Sequence, residues 1–212
     1  MSGASNGPRE PVGVMPWAEA RTLLLRRGLR LEYATLAWNV VGIIVTLIAA
    51  VTARSVALAG FSLDSAVEMF ASLVVVGQLA GSATAASQRR AERRIGFAFL
   101  ALATYLVGQA IVTVVAGVHP DSSLLGIGWL AATALAMFAL AYGKAIAGRK
   151  LDHPVLRTEA KVTMIDGVLA TATLAGLAIN AATGWWWADI AAGSVIVAYG
   201  LREGIHLLRE AS

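Results

Sequence analysis

The chain reads as an all-α polytopic membrane protein, with six transmembrane helices and both the N and C termini cytoplasmic. Three observations predict that class. First, hydrophobic residues make up 58 % of its 212 residues and charged residues only 14 %, whereas soluble domains carry about 25 % charged residues. With a mean hydropathy of +0.70, a chain this short cannot bury all its apolar surface, so lipid must cover part of it. Second, charge is segregated: no Lys or Arg lies between Ile95 and Gly143, or between Val162 and Leu201. Third, basic clusters and apolar stretches alternate regularly along the chain.

Taken in order, MSGASNGPREPVGVMP (1–16) lacks the apolar core of a signal peptide and reads as a short disordered tail. WAEARTLLLRRGLR (17–30) sets apolar and basic residues at helical spacing, which predicts a juxtamembrane amphipathic helix on the inner surface, drawn to anionic lipid. A spanning helix needs about 20 apolar residues. Six stretches meet or approach that length: Tyr33–Ala53, Val56–Gly81, Ile95–Val118, Leu124–Ile146, Val162–Ala182 and Trp185–Leu201. The last is short, and its helix is expected to continue through REGIHLLRE. The transmembrane domain is thus placed at 31–208, followed by a tail at 209–212.

Orientation follows from the connections. Arg21, Arg26, Arg27 and Arg30 precede the first crossing, QRRAERR (88–94) joins the second to the third, and GRKLDHPVLRTEAK (148–161) joins the fourth to the fifth. Of 17 Lys and Arg, only Arg54 falls in a connection on the other side. Cytoplasmic loops are enriched in these residues, so both ends are expected inside. The opposite connections are short, and WWW (185–187) suits an aromatic belt at the outer interface. The Ala- and Gly-rich composition points to a bacterial inner membrane.

Composition also excludes. A net charge of +4 without an aromatic-basic stripe is not a nucleic-acid face. The absence of cysteine rules out disulfides, thiolate metal sites and cysteine nucleophiles. His119, His153 and His206 have no second histidine at ligand spacing and read as loop or interface residues.

The functional signal is acidic. Asp64 and Glu68 are the only charged residues between Arg54 and Arg89; Asp166 and Asp189 are the only ones between Lys161 and Arg202. Asp189 adjoins the tryptophan run and is expected at the interface, capping or orienting the sixth helix. The other three lie within apolar stretches. Each costs roughly 2.5–3.5 kcal/mol at the centre of a spanning helix. No Lys or Arg is expected inside the membrane to neutralise them, which leaves a metal ion or protons.

Residues at i and i+4 share a helix face, so Asp64 and Glu68 point the same way. Asp166 completes the group if the second and fifth helices are neighbours. Three hard oxygen ligands suit a divalent cation, whose binding displaces protons. Asn39 and Thr163 are candidate accessory oxygens, and Glu159 stands at the inner mouth of a pathway. The plainer alternative is a protonated hydrogen-bond network that only fixes helix packing. Two buried aspartates also raise an intramembrane aspartyl protease, but the G-x-G-D motif of that family is absent and no enzymatic role is expected.

At these residues the chain resembles the cation diffusion facilitator family, six-helix transporters that exchange a divalent metal for protons. The second helix of that family commonly reads S-x-A-L-x-A-D-x-x-[HD]-S-x-x-D. Here Ser55, Ala57, Leu58, Gly60, Phe61, Asp64, Ser65 and Glu68 fall on it, with Phe61 replacing the earlier aspartate. The fifth helix often reads R-A-D-A-x-H-x-x-x-D, followed by G-W-W-x-x-D-P. RTEAKVTMID (157–166) and GWWWADI (184–190) match without a gap, with Glu159, Asp166 and Asp189 on the acidic positions and Val162 where the histidine would stand.

The resemblance implies metal ligands at Asp64, Glu68 and Asp166, and proton-coupled efflux of a Zn, Mn, Fe or Co class ion. It implies no resident cofactor, and a membrane domain lacking the family's C-terminal cytoplasmic domain. Loss of the histidine leaves an all-oxygen site, which weakens the preference for zinc relative to typical members, so that manganese or iron competes with it. A homodimer would be held by membrane helices, with Gly96, Ala98 and Ala101 allowing close approach. The competing expectation is a non-transporting membrane protein that senses metal or organises partners.

Overall fold

The computed structural model describes residues 17–79, 85–152 and 154–210. The expected tail at 1–16, His153 and the last two residues lie outside them. Among the described residues the chain is all-helical: α1 (Trp17–Ala53), α2 (Val56–Leu79), α3 (Ala85–Val115), α4 (Leu124–Lys150), α5 (Pro154–Thr183) and α6 (Trp187–Glu210). Among the described residues, four segments are long and apolar enough to cross a membrane: Thr22–Ala53, Arg93–Val115, Leu124–Lys150 and Leu156–Thr183. The chain is therefore compatible with a multi-pass integral membrane protein.

Residue distribution supports lipid as the surrounding solvent. On α1 the buried stripe is Gly28, Glu32, Thr35, Asn39, Gly42, Thr46, Ala49 and Ala53, small or polar at alternating spacings of four and three. Val40, Val41, Ile44, Leu47, Ile48 and Val51 face outward. α5 repeats the pattern, burying Glu159, Thr163, Asp166, Ala170 and Thr173 while exposing Met164, Ile165 and Val168. Small and polar residues inside with large apolar ones outside are the arrangement of helices packed in hydrocarbon.

α2 is the central element, touching α1, α3, α5 and α6; the broadest helix pairs are α4 with α5 and α3 with α6. Close approach is built from glycine. A Cβ on Gly176 would stand 2.5 Å from the Ala192 Cβ and 2.7 Å from the Ala188 carbonyl oxygen, so α5 and α6 pack nearly backbone to backbone. Gly96 of α3 meets Gly204 of α6 in the same way, a Cβ at Gly204 falling 2.9 Å from the Gly96 carbonyl. Gly96 thus serves packing within the chain, whereas Ala98 and Ala101 line an outward groove.

Three helix starts differ from expectation. No break separates residues 17–30 from the first crossing: α1 is one helix of 37 residues, about 55 Å long at 1.5 Å per residue. Nothing between Leu29 and Tyr33 interrupts helical hydrogen bonding, and Glu32 is buried against α4 through Lys144. Likewise α3 begins at Ala85 and α5 at Pro154, so the expected basic connections are largely helix. α6 does continue through REGIHLLRE to Glu210.

The two ends of the bundle differ. At the loop end, where α1–α2, α3–α4 and α5–α6 connect, Ala53 accepts from the Asp121 amide (2.8 Å) and Asn180 donates to the Pro120 carbonyl (3.0 Å). Below these straps sits the apolar core, including Leu58, Phe61, Leu106, Leu130, Leu177 and Ile196. Toward the opposite end, where α1 begins and α6 ends, lie the buried Glu32, Lys144 and Glu159.

Candidate functional site: a buried carboxylate group with an internal ammonium

Asp64 and Glu68 lie one turn apart on the inward face of α2, and Asp166 faces them from α5. Asp64 is 0 % exposed, Asp166 1 % and Glu68 5 %. α2 and α5 are neighbours, and the charges interact: Asp64 with Asp166, and Glu68 with Asp166, Asp64 and Glu159. The helices carry them in because each acid occupies the position that the buried stripe dictates, following Phe61 on α2 and Thr163 on α5. Asp64 lies about 12 Å along the axis from the start of α2.

Both Asp64 oxygens and Asp166 Oδ1 have no hydrogen-bond partner among the described residues. Glu68 has one long contact, accepting from the Tyr199 hydroxyl of α6 at 3.4 Å. Buried polar groups are almost always satisfied, and each exception calls for an explanation. An isolated ionised carboxylate in such surroundings costs several kcal/mol. In this conformation no group of three or more His, Cys, Asp or Glu side chains among the described residues is gathered tightly enough to hold a metal ion. The three acids share one region without closing on a common point.

The expectation that no cation lies inside is corrected by Lys144. Its side chain is 0 % exposed and donates to Glu32 Oε2 of α1 (2.8 Å) and Thr163 Oγ1 of α5 (3.0 Å), with Glu159 Oε2 at 3.9 Å. α1, α4 and α5 are thereby joined through one ammonium. Asp166 lies within its field. A buried ammonium persists only where it is paired. Glu32 and Glu159 both face Lys144.

The accessory residues separate accordingly. Thr163 accepts from Lys144 and donates to the Glu159 carbonyl (2.9 Å), so its hydroxyl is engaged. Asn39 is buried at 6 % exposure on the stripe of α1, whose neighbours are α2 and α4. Glu159 lies seven residues before Asp166, about 10 Å nearer the terminal end. Val162 is half-buried.

The Asp189 side chain bonds to the start of α2 and not to that of its own helix. It is 1 % exposed and closes the N-terminus of α2. Oδ1 accepts from the Ser55 hydroxyl, and Oδ2 accepts from the Val56 and Ala57 amides at 2.9 and 3.3 Å. Ser55 Oγ in turn accepts from the Leu58 amide (3.0 Å). A carboxylate on the unsatisfied amides of a helix start is favourable in charge and hydrogen bonding. This aspartate is structural, and it ties α6 to α2.

Sequence reasoning missed Lys144, Tyr199 and Glu203. Lys144 fell inside the expected fourth crossing, two residues from its end, and that position was the available signal. Tyr199 and Glu203 are one turn apart on α6, and Tyr199 feels the charges of Glu68, Asp64, Glu203 and Asp166. Comparison with models of known protein families gives no match, and comparison with curated proteins gives none either.

Proposed function

We propose that the chain is a membrane transporter that exchanges a divalent cation for protons, taking the ion among Asp64, Glu68 and Asp166. The observation that carries this reading is Asp64: a carboxylate fully buried beside a second one, with neither oxygen partnered. Intramembrane acids of this kind mark ion and proton pathways. Ion binding draws the three acids together, releasing any protons they hold. Lys144 already serves Glu32, Glu159 and Thr163, which leaves Asp64, Glu68 and Asp166 for the travelling ion.

On this reading six helices span the membrane with both termini cytoplasmic, as the basic residues predict, and the membrane is a bacterial inner one. The resemblance to cation diffusion facilitators points the same way, to efflux of a Zn, Mn, Fe or Co class ion by a homodimer. Carboxylate and amide oxygens suit manganese better than an imidazole-containing site would. The apolar core at the loop end would block passage on that side, so the ion would reach the acids from the terminal half.

A second reading is a membrane protein that binds metal without moving it. It is favoured by Lys144, whose fixed ion pair joins three helices that a transporter must move against one another. Proteoliposomes loaded with a divalent-ion indicator and given a proton gradient separate the two. Uptake of Mn or Fe in exchange for protons supports transport; binding without flux supports the sensor; neither one defeats both.

A further inference from the structure

A groove of about 730 Å³ runs along the outside of the bundle between α2 and α3. We propose that it binds an anionic phospholipid, with an acyl chain lying between the helices and the phosphate on Arg90 and Arg94. This rests on membrane embedding and is independent of the metal-ion reading.

The walls are apolar: Leu63 and Phe70 of α2 stand out at 39 % and 62 % exposure. Ala98 and Ala101 give the groove its depth on α3, where any longer side chain would fill it. Arg90 and Arg94 close one end. They are four apart and so share a face of α3. Both are exposed, and among the described residues neither forms an ion pair. The apolar span of α3 begins at Arg93, which sets these guanidinia at the depth of a headgroup layer.

Length agrees with one lipid leaflet. Arg90 to Tyr105, the two ends of the groove on α3, is about 22 Å along the helix. Half a hydrocarbon core is about 15 Å, and a headgroup layer adds about 5–8 Å. Guanidinium groups match phosphate oxygens in two-pronged geometry, and basic pockets between membrane helices hold anionic headgroups. A second copy is a poorer occupant. Two parallel copies related by a two-fold axis along the membrane normal would bring four like-charged guanidinia to one depth.

The test uses the full chain in detergent micelles, read by native mass spectrometry, with phosphatidylglycerol and phosphatidylcholine of equal chain length. The wild type should retain phosphatidylglycerol preferentially. R90Q/R94Q should weaken its retention by roughly tenfold or more and erase the preference. Ala98→Trp, which fills the groove and keeps both arginines, should lower retention of both lipids, and millimolar inorganic phosphate should not displace the bound lipid. Equal retention of both lipids by the wild type overturns the proposal without any variant. So does an R90Q/R94Q protein that holds phosphatidylglycerol undiminished, or a dimer whose formation excludes lipid from the groove.

Discussion

Replacing Lys144 by methionine keeps the volume of the side chain and removes its charge, which isolates what the ammonium does. In the native chain it sits at 0 % side-chain exposure with Glu32 Oε2 at 2.8 Å and Glu159 Oε2 at 3.9 Å. These two carboxylate oxygens, held to one nitrogen, are therefore within about 7 Å of each other. Without the ammonium they repel by roughly 2–3 kcal/mol at an effective dielectric of 20, and Glu32 loses its only ion pair among the described residues. Breaking a buried pair from one side costs about 3–5 kcal/mol, and K144M should lose that much. Unfolding in detergent micelles by denaturant, followed by tryptophan fluorescence, measures it. K144M/E32Q should recover about 2 kcal/mol of the loss, since the second change removes one stranded charge. The double-mutant cycle isolates that coupling. A K144M protein within ~0.5 kcal/mol of the wild type, or strictly additive changes, would show that Lys144 does not hold α1, α4 and α5 together.

Other expectations can be checked with the same unfolding assay. Asp64→Asn removes an unpartnered buried carboxylate, so the metal-free protein should be no less stable than wild type and gain about 1–3 kcal/mol. The same variant should lose the stabilisation that saturating Mn gives the wild type, about 2.7 kcal/mol at a hundred times the dissociation constant. Asp189→Ala strands the Ser55 hydroxyl and two amides at the start of α2 and should cost at least about 2 kcal/mol. Gly176→Ala forces α5 away from α6 and should cost about 1–3 kcal/mol, while Gly128→Ala, whose Cβ would meet nothing within 4 Å, should be close to neutral.

What could be read from sequence was decided by the strength of each local signal. Asp64, Glu68 and Asp166 stood out because an acid in an apolar helix is costly, and the i, i+4 spacing sent two of them the same way. That α2 and α5 are neighbours had to come from the fold. Lys144 was hidden by its place two residues from an expected helix end, where a lysine ordinarily reaches the interface; only packing shows it turned inward to Glu32. Asp189 was visible as a capping residue, but a carboxylate near two helix starts does not say which it serves, and it serves α2. The basic cluster at 17–30 suggests a surface helix on its charge pattern alone. With no glycine or proline between Leu29 and Tyr33, the backbone has no reason to stop, and α1 runs through. Ala98 and Ala101 suggested helix contact, yet they floor a groove, since small residues open a cleft as readily as they admit a partner.

The central claim is that Asp64, Glu68 and Asp166 share one divalent ion. Electron paramagnetic resonance of Mn titrated into the metal-free, purified chain tests it most directly. One bound Mn per chain is expected, and it should be abolished alike by Asp64→Asn and by Asp166→Asn, with the double variant no worse than either alone. Binding that survives both single changes, or that each change halves independently, contradicts a shared site.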